Sequence, residues 1–280
     1  LLRFGALQEA QALVERAGPT DDPEIFRRWF DISLLLGDEN RACAAMRAAP
    51  DIAPTFSARI FCLARGGDWP AAALSLETAR ALGYVTEAED LLMARFLDPE
   101  LFEGEPLATP PRPLTPLSYK MLSALAEAPP ASTLPLAFNH ALLSQNNGWK
   151  PRIEAAERLV RTGGITPSEL FSIYTEREPA ASGGVWDRVS AVQDLDVALL
   201  AGETGLVAER ILGADTAMRK AGLEPAFAEY YGPRAARLAL EGDAQTVAER
   251  LVLQTPSAPS FARRVHSDLY SAIAAGKAAI

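Results

Sequence analysis

One short pattern constrains the fold of this chain more than any other feature of its sequence. A helix-forming stretch ends at a glycine, an acidic residue follows, and an alanine-rich stretch begins. Gly37-Asp38 shows it first, and Gly67-Asp68 repeats it 30 residues later. Glycine ends helices because it adopts left-handed backbone without strain, and aspartate is a favoured N-cap residue for the next helix. The pattern therefore predicts helical hairpins.

The second half of the chain carries a related repeat at a longer spacing. The stretch that begins at Gly202-Glu203 reads GETGLVAERI, and 40 residues later Gly242-Asp243 begins GDAQTVAERL. One hairpin cannot cover its own apolar face, so hairpins repeated at this spacing bury that face against their neighbours. We therefore expect a stack of hairpins that curves as it grows.

The residue types agree with an all-α fold. Alanine, leucine, arginine and glutamate, which are good helix formers, dominate the chain, and no stretch alternates apolar and polar residues as a strand does. Arginine is used far more than lysine, which with the abundant alanine is typical of a GC-rich bacterial genome. We predict no β-strand. The predicted helices include 134–144, 185–201 and 225–241, and Thr86 with Glu89 three residues later forms a capping box that begins another.

Residues 26–54 resemble a tetratricopeptide repeat. Bulky side chains lie on the first predicted helix, a glycine at the turn, small side chains on the second helix and a proline after it: Phe26, Trp29, Phe30, Gly37, Ala42, Ala49 and Pro54. Residues 56–85 are similar but lack the closing proline. The resemblance implies a right-handed α-α superhelix that binds a protein or peptide on its concave face. A general helical bundle without a binding groove is the alternative.

A proline-rich segment interrupts the helices and suggests a division of the chain. Five prolines fall between residues 104 and 116, and prolines at this density favour extended backbone. We interpret the segment as a linker or as a strap across the surface. The predicted organisation is tetratricopeptide-like hairpins over 1–103, the proline-rich segment over 104–116 and a C-terminal α-helical repeat region over 117–280.

The two cysteines, Cys43 and Cys62, lie on consecutive predicted helices at similar distances from the turn at 50–54. Because an α-helix rises 1.5 Å per residue, an antiparallel pair places them at nearly the same height. A disulfide is then geometrically allowed and would fit an oxidising compartment. Two buried thiols are the other interpretation.

Motifs that position a nucleophile, cradle a phosphate or hold a metal are missing: Gly-x-Ser-x-Gly, His-Glu-x-x-His and the Rossmann glycine fingerprint. We therefore predict a non-catalytic protein-protein interaction scaffold that needs no cofactor and no metal. Two alternatives stay open. One is an accessory domain of a cell-wall-acting enzyme, since some bacterial murein-cleaving enzymes carry an α-superhelix. The other is a structural subunit of an envelope machine.

Three residues near the end of the second half are candidate contacts for a partner. Tyr230 and Tyr231 are adjacent on a predicted helix and therefore point in different directions, so that at least one is expected to face solvent or a groove. Arg234 lies one turn further on. Core packing is the alternative role for the tyrosines. Pro233 is expected to kink this helix or to end it.

Charge and hydropathy narrow the choice of partner. The formal net charge of -9 disfavours nucleic acid, and the one basic cluster, Arg263, Arg264 and His266, is small. No apolar run approaches the roughly 20 residues that span a bilayer. The chain begins at Leu1 rather than at Met, which leads us to expect an upstream segment: a signal peptide, another domain or a disordered segment. A signal peptide would mean that the protein is exported. Together with the cysteine pair this favours a periplasmic over a cytoplasmic location.

Overall fold

The computed structural model describes residues 2–106 and 109–261, and its regular structure there is entirely helical. The prediction of an all-α fold is confirmed. The chain divides into two compact units, of which the first ends at Ser144 and the second begins at Gln145. None of the helices in the described residues is both long and apolar enough to cross a membrane.

The first unit contains eight α-helices within the described residues. They are α1 (Leu7–Arg16), α2 (Pro23–Leu36), α3 (Glu39–Ala48), α4 (Phe56–Arg65), α5 (Trp69–Ala81), α6 (Glu87–Leu97), α7 (Pro116–Ala124) and α8 (Asn139–Leu142). The second unit contains seven: α9 (Trp149–Val160), α10 (Pro167–Tyr174), α11 (Val185–Ala201), α12 (Thr204–Lys220), α13 (Glu224–Ala235), α14 (Gly242–Leu253) and α15 (Ala258–Phe261).

The helix boundaries in the first unit follow the predicted punctuation. The Asp22 side chain accepts hydrogen bonds from the backbone of the first turn of α2, and the helix ends at Gly37 in left-handed backbone with a φ of 82°. At α6, Thr86 and Glu89 form a capping box in which each side chain bonds the other residue's backbone. These caps satisfy amide groups that a helix end otherwise leaves without partners.

The hairpins of the first unit pack in chain order, and α7 then returns to them. Each helix from α1 to α6 contacts the next, while α7 contacts both α2 and α6. Leu117, Met121 and Leu122 of α7 belong to the same apolar core as Phe26 of α2 and Leu92 of α6. An open stack of repeats has contacts between neighbours only, so α7 closes this unit.

The proline-rich segment is bonded to α6 at Pro106. Arg95 of α6 is almost fully buried, and its guanidinium donates a 2.8 Å hydrogen bond to the carbonyl oxygen of Pro106. The same guanidinium bonds Glu127 at 3.1 Å and lies over the ring of Phe102. The described residues of this segment, 104–106 and 109–116, belong to the first unit, which extends to Ser144.

Two predicted helices differ in extent from those observed. Sequence analysis placed a helix over 134–144, but only a 3-10 turn at Leu136–Phe138 and the short α8 form there, and the Asn139 side chain bonds the Leu136 carbonyl oxygen at 2.8 Å. The helix predicted over 225–241 ends at Ala235, two residues after Pro233. Pro233 lies inside α13, and the helix ends within one turn after it.

Gly232 allows α13 and α14 to cross closely in the second unit. A methyl group at this position would lie 3.0 Å from the backbone carbon of Leu251 and 3.1 Å from the nitrogen of Val252. Backbone atoms of a packed helix cannot move aside as a flexible side chain can. Glycine is therefore required for this packing distance, independently of the proline that follows it.

Candidate functional site

A cavity in the first unit is a candidate binding site. It has a volume of about 240 Å³ and is lined by α2, by the start of α4, by α6 and by α7 together with the residues before it. Helices α3 and α5 contribute no residue to it. The residues that line it include Arg27, Phe30, Asp31, Ser57, Glu89, Leu114, Thr115, Leu117, Ser118 and Met121.

Asp31 is the unusual group in this cavity. It is half-buried on α2, between the buried residues Phe30 and Ile32. Burial disfavours the charged carboxylate and raises the pKa of Asp31 to about 6, although the positive charges of Arg27 and Arg28 act in the opposite direction. A carboxylate with a raised pKa inside a cavity is typical of a binding or catalytic site.

Glu89, Thr115 and Ser118, three other polar residues of the cavity, take part in helix caps. One carboxylate oxygen of Glu89 accepts hydrogen bonds of 2.9 Å from both the backbone nitrogen and the hydroxyl of Thr86. The hydroxyls of Thr115 and Ser118 lie 2.9 Å apart, and Thr115 also accepts a bond from the Ser118 backbone. Of the two carboxylates at the cavity, Asp31 is thus the one available to a ligand.

The groups that line the cavity are suited to binding a ligand. Apolar walls with a few polar groups are typical of sites that bind a small molecule or a side chain. Among the described residues no cluster of three or more histidine, cysteine, aspartate or glutamate side chains is arranged to hold a metal ion.

Replacing Asp31 by asparagine is expected to stabilise the protein at neutral pH. A carboxyl whose pKa is higher in the folded than in the unfolded chain favours folding below pH 4, and this contribution is lost as the pH rises through about 6. Asp31→Asn removes the cost of the buried charge, so we expect a gain of about 1–2 kcal/mol at pH 7.5, allowing for partial exposure.

Urea unfolding at pH 4 and at pH 7.5 measures this effect. The advantage of Asp31→Asn over the natural protein should be present at pH 7.5 and largely absent at pH 4. The exposed Asp51, which does not line the cavity, supplies the control, since Asp51→Asn should change stability by less than about 0.5 kcal/mol at either pH. A loss of stability in Asp31→Asn at pH 7.5 would contradict the assignment of an unfavourable charge.

Cys43 and Cys62 are brought together between consecutive hairpins. Cys43 lies on α3 and Cys62 on α4, their Cα atoms are 5.1 Å apart, and the sulfur atoms are bonded as a disulfide. Both residues are almost completely buried beside Met46 and Ile60 in the main core. Of the two interpretations left open by the sequence, the structure therefore has the disulfide.

Tyr230, Tyr231 and Arg234 also lie together, in the second unit. Tyr231 has no exposed surface and is a core residue, so it is not available to a partner. Tyr230 is half-buried with its ring centre 5.0 Å from that of Phe171. Arg234 lies over both tyrosine rings and bonds Asp196 at 3.1 Å. Only Tyr230 and Arg234 remain candidates for an outside contact.

Sequence reasoning missed the cavity, although one signal for it was present. Asp31 is a single acidic residue within the most apolar stretch of α2, where nearly every side chain from Trp29 to Leu35 is buried. Carboxylates are rare in such places without a function or a partner. The basic cluster of Arg263, Arg264 and His266 lies outside the described residues.

Comparisons with models of protein families, with curated proteins and with solved structures found no match. What the chain does must therefore be argued from its own residues.

Proposed function

We propose that this chain is a non-catalytic scaffold that holds a protein or peptide partner. Its hairpins would form a right-handed, tetratricopeptide-like superhelix in the first unit, and the partner would bind in the recess that the first helices of the hairpins form with α7, which packs on α2 and α6. The 30-residue recurrence of Gly37-Asp38 as Gly67-Asp68, with bulky residues before it and small ones after it, supports this arrangement.

The proposal rests on which helices supply the walls of the cavity. They come from α2 and α4, the first helices of two successive hairpins, and from α6 and α7, which follow those hairpins in the chain. The second helices, α3 and α5, contribute none of the lining residues. A recess that repeats the same helix position along a stack is suited to an extended partner, which contacts several repeats in turn.

A binding role fits the carboxylates better than a catalytic one. Cleavage of a glycosidic bond requires two carboxyl groups that act on opposite sides of the bond. At this cavity Glu89 is committed to the capping box of α6, which leaves Asp31 alone. An accessory domain of a cell-wall-acting enzyme, or a structural subunit of an envelope machine, would use the same binding surface.

We further propose that the protein works in an oxidising compartment such as the bacterial periplasm. The disulfide between Cys43 and Cys62 joins two hairpins inside the core. Disulfides of this kind persist outside the cytosol, where thiols are not kept reduced. Free thiols in protein extracted from its native cells would contradict this location.

Photo-cross-linking in the native cells tests the scaffold proposal. A benzoylphenylalanine residue in place of the exposed Arg27, which lines the cavity, is expected to capture a discrete protein partner. The matched control places the same residue at Leu74, which is strongly exposed on the second helix α5. Partner identity by mass spectrometry then distinguishes an enzyme from an envelope assembly.

Two results would contradict the scaffold proposal. One is the same set of adducts from both positions, which would indicate random collisions rather than a binding face. The other is the lack of any protein adduct at Arg27 combined with turnover of a small molecule by the purified protein.

A further inference from the structure

Asp31 differs from the buried acids of the fold in having no counter-charge. Each of the three acidic residues that the described chain buries has two cationic partners. Glu39 pairs with Arg65 and Lys120, Glu157 pairs with Arg161 and Arg188, and Asp215 pairs with Arg219 and Arg250. In the part of the chain that the structure describes, the carboxylate of Asp31 makes no hydrogen bond and no ion pair.

The charged groups around Asp31 do not supply the missing partner. Arg27 and Arg28 lie on the same helix and act on Asp31 only from beyond ion-pair distance. From α6 the cavity receives Glu89, which is also acidic, while the residues of α4 and α7 that line it carry no charge. The lining thus has two carboxylates, Asp31 and Glu89, and one cation, Arg27, which forms no ion pair with Asp31.

The remaining walls define what kind of cation would fit. Phe30 from α2 and Leu114, Leu117 and Met121 from around α7 give the cavity an apolar side. Its volume of about 240 Å³ exceeds that of several water molecules, at about 30 Å³ each in the liquid. Lysine and arginine combine an aliphatic stem that packs on apolar surface with a charged head that bonds a carboxylate.

We propose that the cavity receives a lysine or arginine side chain of the partner, with its charged head at Asp31 and its stem along Phe30, Leu117 and Met121. This inference rests on the proposed scaffold function and specifies the chemistry of the partner. The hydroxyl of Ser57, which also lines the cavity, is a second acceptor for the head group.

Binding of this kind depends on pH through Asp31. With a pKa of about 6, the carboxyl is ionised at pH 7.5 and about one-tenth ionised at pH 5. Only the ionised form attracts a cation. The affinity for a basic side chain should therefore fall about tenfold between these two pH values.

Blocked pentapeptides with a central lysine, arginine or norleucine are the probes. Chemical-shift titration of the whole isotope-labelled protein at pH 7.5 is expected to show saturable shifts at α2 and α7 for at least one basic peptide and none for norleucine. Asp31→Asn should weaken this binding at least tenfold, and lowering the pH to 5 should have an effect of similar size on the natural protein.

Two controls separate loss of binding from loss of structure. Asp31→Asn is expected to be more stable than the natural protein, so weaker binding cannot be attributed to unfolding. Asp51→Asn, at an exposed site away from the cavity lining, should bind as the natural protein does.

The inference fails if norleucine and the basic peptides bind alike, if Asp31→Asn binds unchanged, or if neither basic peptide gives a saturable shift. The scaffold proposal is tested independently by the cross-linking at Arg27. If the captured partner contacts this face without any basic residue, the scaffold proposal stands and the proposal of a bound lysine or arginine side chain is wrong.

Discussion

Replacing Glu157 by glutamine is expected to destabilise the second unit by about 3 kcal/mol. Glu157 is 3 % exposed on α9 and receives two hydrogen bonds from Arg188 of α11, at 2.6 and 2.8 Å. The hydroxyl of Tyr174, at the end of α10, donates a third at 2.7 Å, and Arg161 lies 3.5 Å away. One carboxylate thus joins three helices.

The size of the effect follows from the buried charge of Arg188, which the Glu157→Gln variant leaves without a counter-charge. Burial opposes the charge of Arg188, but its hydrogen bonds to Glu157 and the charge of that carboxylate outweigh burial and raise the pKa of Arg188. Without the carboxylate, the guanidinium remains in a poorly solvated place with no compensating charge. Removing one member of such a pair is costly even where the intact pair adds little.

Hydrogen exchange measured along a urea series gives the free energy of unfolding for peptides of α9 to α11 alone. Glu154→Gln on the same helix is the matched control. Glu154 is exposed, and its closest cation, Lys150, is 3.8 Å away, so this change should cost less than about 0.5 kcal/mol. Equal effects of the two substitutions would mean that the buried network does not stabilise the unit.

The sequence predicted the helices well wherever local chemistry decides their ends. Val185–Ala201 was predicted with its observed limits, because Gly184 immediately precedes the helix and Gly202 ends it in left-handed backbone. Gly37 and the Thr86–Glu89 capping box were located in the same way. Caps and glycines act within a few residues, so one sequence contains all the information that they require.

Repeated sequence predicted the presence of helices but not how they pack. The two copies that begin at Gly202 and Gly242 share a fully buried position at Ile211 and Leu251. However, Val207 is fully buried while its counterpart Val247 is half-exposed. The two helices therefore turn different faces to their neighbours. Tertiary packing determines how each helix is rotated about its axis, and the sequence of a single hairpin does not predict that rotation.

The candidate site could not be predicted because residues distant in the chain form it. Asp31 and Met121 line one cavity although 90 positions separate them. They meet only because α7 returns to α2, a contact that no periodicity signals. The Cys43–Cys62 pair was easier to anticipate, since both residues lie near one turn and helix geometry fixes their heights.

Removing the disulfide is expected to destabilise the first unit by about 3 kcal/mol, the value typical of a closed loop of this size. Cys43 and Cys62 are 19 residues apart in the sequence and join α3 of one hairpin to α4 of the next. The bond limits the conformations of the unfolded chain and fixes the stacking of the two hairpins. Its loss therefore affects the packing of one hairpin on the next, on which the proposed scaffold depends.

The comparison is between oxidised protein and protein that has been unfolded, reduced and refolded with reductant present. Because both cysteines lie in the first unit, residues 145–261 contain none and serve as an internal control. Protection against hydrogen exchange should weaken in α2 to α6 and stay unchanged in α9 to α14. Equal protection of both forms, or two free thiols in the denatured, unreduced protein, would show that packing alone holds the hairpins together.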